Sequence, residues 1–333
     1  MTELRIITEH PLNAETPLDL QAGVLTPAGR HYVRSHFAVP VHPGTLRIDG
    51  AVARPRQVTV RDLVARRATT LTVTLECAGN GRRFLEPPAP GEPWGLGAVG
   101  TAEWTGVPLP ELLDEAGLDS GAVEILFVGA DSGSVPALGR EIAFERSLPV
   151  DVAQSALVAH SMNGEPLAPD HGAPLRLIVP GRYGMASVKW LSRISAVVES
   201  FRGFFQVARY VIDGEAIGPI APRAIIVAPA GGMLPSGVEQ VIRGFAWSGR
   251  GPIERVDVSV DGGVTWREAE LTPAGGASAW RPWLLRWRPT AQGPAVILAR
   301  ATDAAGDRQP LEQVSNALGY RNNAAQPVGV EIA

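Results

Sequence analysis

Thr72-Val-Thr-Leu-Glu-Cys77-Ala-Gly-Asn-Gly-Arg82-Arg83 is the stretch around which this 333-residue sequence organises itself. Val73 and Leu75 alternate with polar neighbours, the period of a half-buried strand. Ala78-Gly79-Asn80-Gly81 then breaks the run with a small-residue turn, and two arginines follow at once. A strand end of this kind presents a thiol beside backbone amides and fixed positive charge. Such surroundings lower a thiol pKa and favour the thiolate, which binds soft metals or attacks electrophiles. The competing reading is a buried free cysteine packed as a small hydrophobe. Cys77 is the chain's single cysteine, which excludes an internal disulfide.

Further strand-like runs, bounded by Gly, Pro and Asp, lie at Leu46–Val52, Leu71–Leu75, Val123–Val128 and Leu175–Val179. Helical pieces are short: Val60–Arg67, Leu109–Ala116 with Gly117 as its stop, and Arg140–Arg146. Residues 1–30 read as an irregular arm rich in Pro and Thr. Regular βαβ alternation is missing, so the pattern predicts an α+β fold rather than a doubly wound sheet. Neither a dinucleotide-binding G-x-G-x-x-G after a strand nor a P-loop is present, and GNGRR is not such a fingerprint.

The texture changes across the proline-rich stretch Ile217–Pro229. VDVSVDGGVTWREA then predicts a β-hairpin around Asp-Gly-Gly. AWRPWLLRWRP and AVILARATDAAGD follow as further strands. Short strands with turns over about 100 residues suggest an immunoglobulin-like β-sandwich without the antibody cysteine pair. The division is placed between residues 1–223 and 224–333.

Net charge is −4 with both signs interspersed. This leaves no basic stripe for nucleic acid and no patch for a membrane surface. No apolar run reaches the roughly 20 residues a bilayer span needs. MTELRIITEHPLNAE lacks the parts of a signal peptide and has no twin arginine, so a cytoplasmic location is expected, or a periplasmic one had a leader been removed. Of the 30 basic residues only Lys189 is a lysine. Codon bias towards arginine accounts for the pattern, and a site that suits a compact point charge is the alternative.

LECAGNGRR resembles the molybdenum-ligand motif of the sulfite oxidase family. YVRSH (32–36) resembles the family's early Arg-x-His segment. Further similar stretches are EPWGLGAVGTAEWTGVPL (92–109), FVGADSG (127–133), MNGEPLAPDHGAPLRLIVPGRYGMASVKWL (162–191) and GFFQVARY (203–210). GFAWSG and VSVDGGVTW resemble its dimerisation domain. Each is weak alone; together they run in family order over most of the chain.

The resemblance implies a molybdopterin-binding catalytic domain followed by the sandwich, which pairs into a homodimer. It implies a single pyranopterin with molybdenum, Cys77 being the metal's protein ligand. Tyr32, Arg34, His36, Asp131, His171, Arg176, Ser187, Val188 and Lys189 fall where the family holds the pterin and its phosphate, a group that needs charge-assisted donors. Arg34, Arg82, Trp94 and Tyr210 match its substrate pocket, with Cys77 completing the catalytic set. The implied reaction is oxidation of a small sulfur oxyanion, sulfite first, by oxo transfer, with electrons leaving to an external acceptor such as a cytochrome. Without context, His171 reads equally as a turn residue and Arg176 as a strand-end cation.

One position departs from the pattern. In SNALGYRNNAAQ (315–326), animal and plant sulfite oxidases have an arginine where Leu318 aligns, and Arg321 would project differently. The pocket is therefore expected to be less positive, which opens two other substrates: reduction of an S-oxide, or oxidation of carrier-bound sulfur. Haem is not expected in this chain. The c-type attachment needs two cysteines and a following histidine, and His42-Pro43-Gly44 reads as a turn with too few residues before it for a b-type domain. Outside the resemblance stand a cofactor-free binding module and a cysteine hydrolase, the latter lacking a local pattern that pairs His36 or His171 with Cys77.

Overall fold

A computed structural model describes residues 4–273 and 275–333. The opening stretch forms the strand Thr69–Glu76. It pairs antiparallel with Val99–Pro108, setting Val73 opposite Ala102 and Glu76 opposite Val99. Leu157–Met162 and Glu165–Pro166 extend this sheet, with Arg176–Ile178 also on Leu157–Met162. A second five-stranded sheet runs Arg56–Thr59, Thr45–Gly50, Leu191–Val197, Glu124–Val135, Arg140–Pro149. Its one parallel pair joins Leu191–Val197 to Thr45–Gly50 across most of the domain's sequence. Together with the helices this is the expected α+β class.

Helices are short because few stretches carry a helical stripe. In Leu109–Ala116 the buried residues are Leu109, Leu112, Leu113 and Ala116, spaced to share one face, and Gly117 closes the helix at φ +71°. Val60–Val64 starts at Thr59, whose hydroxyl accepts from the Asp62 amide. Such a cap contributes about 1 kcal/mol.

Two expectations are corrected. Arg140–Arg146 is not helical but lies in the strand Arg140–Pro149, paired with Glu124–Val135. Gly139 at φ +62° turns the chain back on itself, and a long cross-strand register outweighs helix propensity. The arm is less irregular than its composition suggests: Arg5–Thr8 and Asn13–Glu15 form a small antiparallel pair. His42-Pro43-Gly44 lies in an irregular segment that bends at Gly44, with the Gly44 amide bonded to His42 Nδ1.

The second half is a sandwich. One sheet runs Arg223–Ala228, Gln240–Trp247, Arg281–Trp287, Glu270–Leu271. The other runs Gly232–Leu234, Val328–Ile332, Gly293–Asp303, Ile253–Ser259, Arg267–Glu268. The expected hairpin is present, with Val258 opposite Arg267. Trp280, Trp283 and Trp287, read either as core or as a face for a partner, are core, at 0, 1 and 9% exposed. The halves share packing: Ile225, Phe245, Trp247 and Trp280 lie in one apolar cluster with Ala78 and Val99. Among the described residues, no helix is long and apolar enough to cross a membrane.

Candidate active site

Cys77 follows directly on the strand Thr69–Glu76, its amide bonded to the Ala98 carbonyl at 2.9 Å and its own carbonyl accepting from Asn80. It stands where two cavities meet. The first, about 610 Å³ with its mouth, is lined by Tyr32, Arg34, His36, Asp131, His171, Arg176, Ser187 and Lys189, among others. The second, about 600 Å³, is lined by Arg82, Glu92, Arg209, Leu318 and Tyr320. Arg34, His36, Cys77 and Tyr210 line both.

The first cavity is crowded with cations. Lys189 Nζ donates to Ser35 Oγ at 2.6 Å and to the Asp170 carbonyl at 3.0 Å. Burial, then the nearby Arg176, hold Lys189 well below lysine's ordinary pKa. Burial also brings Arg176 down to about 10 and His171 to about 4. Arg176 Nε is buried with no partner, and so is Oδ1 of Asp131. Burial lifts Asp131 to about 7 despite Lys189. Buried cations held in no ion pair among the described residues, together with an orphaned donor, favour a bound anion rich in oxygens, such as a phosphate. The residues therefore fit a phosphate-bearing pterin.

Tyr210, Arg34 and His36 form one network. Arg34 Nη2 lies 3.0 Å from His36 Nδ1. The same Nη2 lies 3.4 Å from His36 Nε2, and Nε2 in turn lies 2.5 Å from Tyr210 Oη, which ties the phenol to the ring. Tyr210 adopts φ +55°, unusual for a bulky residue and a mark of an imposed conformation.

Arg82 is held rigidly in the second cavity. Its Nη1 donates to the Glu92 carbonyl at 3.0 Å and its Nη2 to the Leu318 carbonyl at 3.1 Å. A Cβ on Gly79 would stand 2.5 Å from its guanidinium carbon, so glycine is needed there for close approach.

Burial overturns one electrostatic expectation. Arg34 and Arg82 do lower the Cys77 pKa, but the larger effect of burial raises it above the ordinary thiol value. The free chain thus holds a thiol, and a metal would be needed to remove its proton.

Most sequence-derived residues converge here, with two exceptions. Trp94 is fully buried and lines neither cavity; it packs with Cys77 and Tyr32 in the cluster behind the wall. Val188 likewise turns into the core, and its carbonyl accepts the Leu177 amide. The pocket is also not short of positive charge. Leu318 does present an apolar side chain, and Arg321 lies away, in a separate groove with Arg250 and Asp307. Arg209, however, joins Arg34 and Arg82 in the second cavity. Arg209, Ser35 and Asp170 were missed as site residues, although each lies inside a stretch whose resemblance was noted.

Residues 36–205 match the oxidoreductase molybdopterin-binding domain, and residues 222–332 match the Mo-co oxidoreductase dimerisation domain. The chain is 35% identical to mitochondrial sulfite oxidase of Mus musculus over 99% of its own length and 66% of that protein's. It is 36% identical to sulfite oxidase of Gallus gallus, over 92% of this chain and 73% of the other. Nitrate reductase of Hordeum vulgare is 32% identical, with 41% of its length covered. The chain thus spans just under two thirds of the mouse relative. Among solved structures, the sulfane dehydrogenase SoxCD from Paracoccus pantotrophus matches with a TM-score of 0.85 and 29% identity, covering 98% of this chain and 87% of that one. The chain that holds this thiol between two cation-lined cavities thus belongs to the sulfite oxidase family of molybdopterin-binding oxidoreductases.

Proposed function

We propose that this protein oxidises a small sulfur oxyanion, with sulfite as the leading substrate, at a molybdopterin-bound molybdenum ligated by Cys77. The observation that carries the reading is the position of Cys77 between a cavity suited to an anionic cofactor and a cavity lined by three arginines. When bound, the molybdenum cofactor supplies two-electron oxygen transfer to sulfur; for sulfite, water and sulfite give sulfate, protons and two electrons.

The chain's own residues supply position and field. Arg176, Lys189 and His171 would hold the cofactor's phosphate, with Tyr32, Ser187 and Asp131 around the pterin. Val188 and Trp94 support these walls from behind. Arg34, Arg82 and Arg209 would bind the oxyanion, the planar guanidinium being well matched to oxyanion geometry. Tyr210, its phenol oxygen 2.5 Å from His36 Nε2, would hydrogen-bond the reacting oxygen. His36 stays neutral because burial and the adjacent Arg34 press its pKa well below the ordinary value. The sandwich, taken as beginning near residue 224, pairs two copies, and electrons leave to a separate acceptor, a cytochrome being the natural class.

Holoenzyme assayed with sulfite and an artificial acceptor tests this: turnover in wild type and none in Cys77→Ser is expected. Equal turnover in the two would refute the ligand assignment.

A second reading is favoured by Leu318 in the second cavity and by the likeness to a sulfane dehydrogenase. In it, the same site oxidises a sulfane sulfur on a carrier. A persulfide substrate oxidised at higher kcat/KM than sulfite selects it, and methionine sulfoxide with a reduced dye tests the reductive direction.

A further inference from the structure

Glu76, the residue before Cys77, is buried at 2% exposure in a chain whose other carboxylates are mostly solvated. One oxygen accepts from Arg223 Nη1 at 2.7 Å and from Asn80 Nδ2 at 3.0 Å. The other accepts from Trp247 Nε1 at 2.9 Å. Trp247 lies in the sandwich strand Gln240–Trp247, and Arg223 opens its neighbour Arg223–Ala228. Arg223 reaches further, to the Asn80 carbonyl at 3.3 Å, and Asn80 in turn bonds the Ala98 amide. Both ends of the turn that carries Cys77 therefore hang on one carboxylate whose other partners belong to the second half of the molecule.

The strand leading into that turn is tied in the same way. The Thr74 amide donates to the Ser278 carbonyl at 2.9 Å, and the Trp280 amide donates to Thr74 Oγ1 at 2.7 Å. The sandwich thus grips the cysteine-bearing strand at two points, two residues apart. None of these groups lines either cavity.

We propose that Glu76 is a positioning residue through which the second domain sets the direction of the Cys77 thiol. A buried ion pair can be exchanged for apolar packing without loss of stability, so its retention here is explained by register, the use best attested for such pairs. A carboxylate that accepts three hydrogen bonds, one of them from a buried guanidinium, fixes the backbone one residue from the sulfur more tightly than apolar contacts would. This rests on Cys77 being the metal's ligand, and the first test below does not.

Cys77 is the chain's only cysteine, so alkylation of the full chain made in a host lacking the cofactor reads its local mobility without ambiguity. Trp247→Phe keeps an aromatic side chain but removes the pyrrole and its donor; Glu76→Gln keeps the shape and removes the charge. Under native conditions both should raise the iodoacetamide rate at Cys77 by about tenfold, the scale of losing one charge-assisted bond. Leu285→Ala, in the sandwich core away from this contact, is the control for general destabilisation and should leave the rate unchanged. In holoenzyme, Trp247→Phe should lower kcat at constant KM and move the thiolate-to-metal charge-transfer band. A wild-type labelling rate in Trp247→Phe, or an equal rise in Leu285→Ala, overturns the proposal. Should Glu76→Gln fail to fold, Trp247→Phe decides alone. Altered labelling together with a Cys77 sulfur not bonded to the metal in wild-type holoenzyme would leave the positioning role standing and remove the ligand reading instead.

Discussion

Arg209 is where a single residue changes the substrate argument. Its guanidinium is bound to one acceptor among those described, the carbonyl of its neighbour Ala208, and otherwise covers the Phe204 ring. It therefore has donors to spare for an anion in the cavity it shares with Arg82. Arg209→Ala is expected to raise KM for sulfite by about tenfold or more, the worth of one charged hydrogen bond, with kcat little changed. Leu318→Arg adds a fourth cation and should lower KM; steady-state kinetics on the two variants checks both. Sequence showed Arg209 as one letter in a similar stretch, and nothing in its spacing places it in the second cavity. Cys77 was legible as a candidate because strand, turn and arginines are local. Its raised pKa was not, because burial is a property of the packed molecule and outweighs charges that the sequence displays.

At the scale of elements, the turn after Cys77 is built so that Arg82 folds back against it. Gly79→Ala would drive a methyl into a guanidinium already fixed by two carbonyls. The cation must then leave its place, and kcat/KM for the oxyanion should fall by about tenfold or more, while thermal unfolding moves little because the turn borders an open cavity. Loss of stability without loss of kcat/KM would mean that Arg82 serves the fold alone. Elements whose signals are local were read correctly: the strand into Cys77, the helix Leu109–Ala116 with its glycine stop, the hairpin about Asp261-Gly262-Gly263. Arg140–Pro149 was not, since Glu-Ile-Ala-Phe-Glu-Arg suits either period and only the partner strand Glu124–Val135 decides. Trp280 and Trp283 show the same limit, because an alternating apolar face does not say whether its cover is the same chain or another.

For the whole molecule, the charges collected around the first cavity make stability depend on pH before any cofactor binds. Burial takes His31 down to about 3 and His171 to about 4, and His36 also falls well below its ordinary value. In the unfolded chain these rings titrate near 6.5. Below that pH the unfolded state binds more protons, so the contribution is complete above pH 6.5 and disappears as pH falls towards 4. Asp131, raised to about 7, works in the opposite sense, as do Glu15 and Glu145, which burial also raises; against them stand these three histidines and His160, lowered by burial as well. Urea midpoints of the cofactor-free chain should therefore drop between pH 7.5 and pH 5, at about 1.4 kcal/mol per pH unit for each net proton. A midpoint flat across this window would mean that the histidines are hydrated in solution. The two-domain plan was legible from texture and turns, whereas the shared apolar cluster and the grip of Arg223 and Trp247 on Glu76 join residues up to 171 apart in sequence and have no local signature.

The claim on which all of this turns is a bond between the Cys77 sulfur and molybdenum. X-ray absorption at the molybdenum edge, on holoprotein of wild type and of Cys77→Ser purified with equal metal content, measures it directly. The account predicts one sulfur neighbour fewer around the metal in the variant. An unchanged count of sulfur neighbours would contradict it.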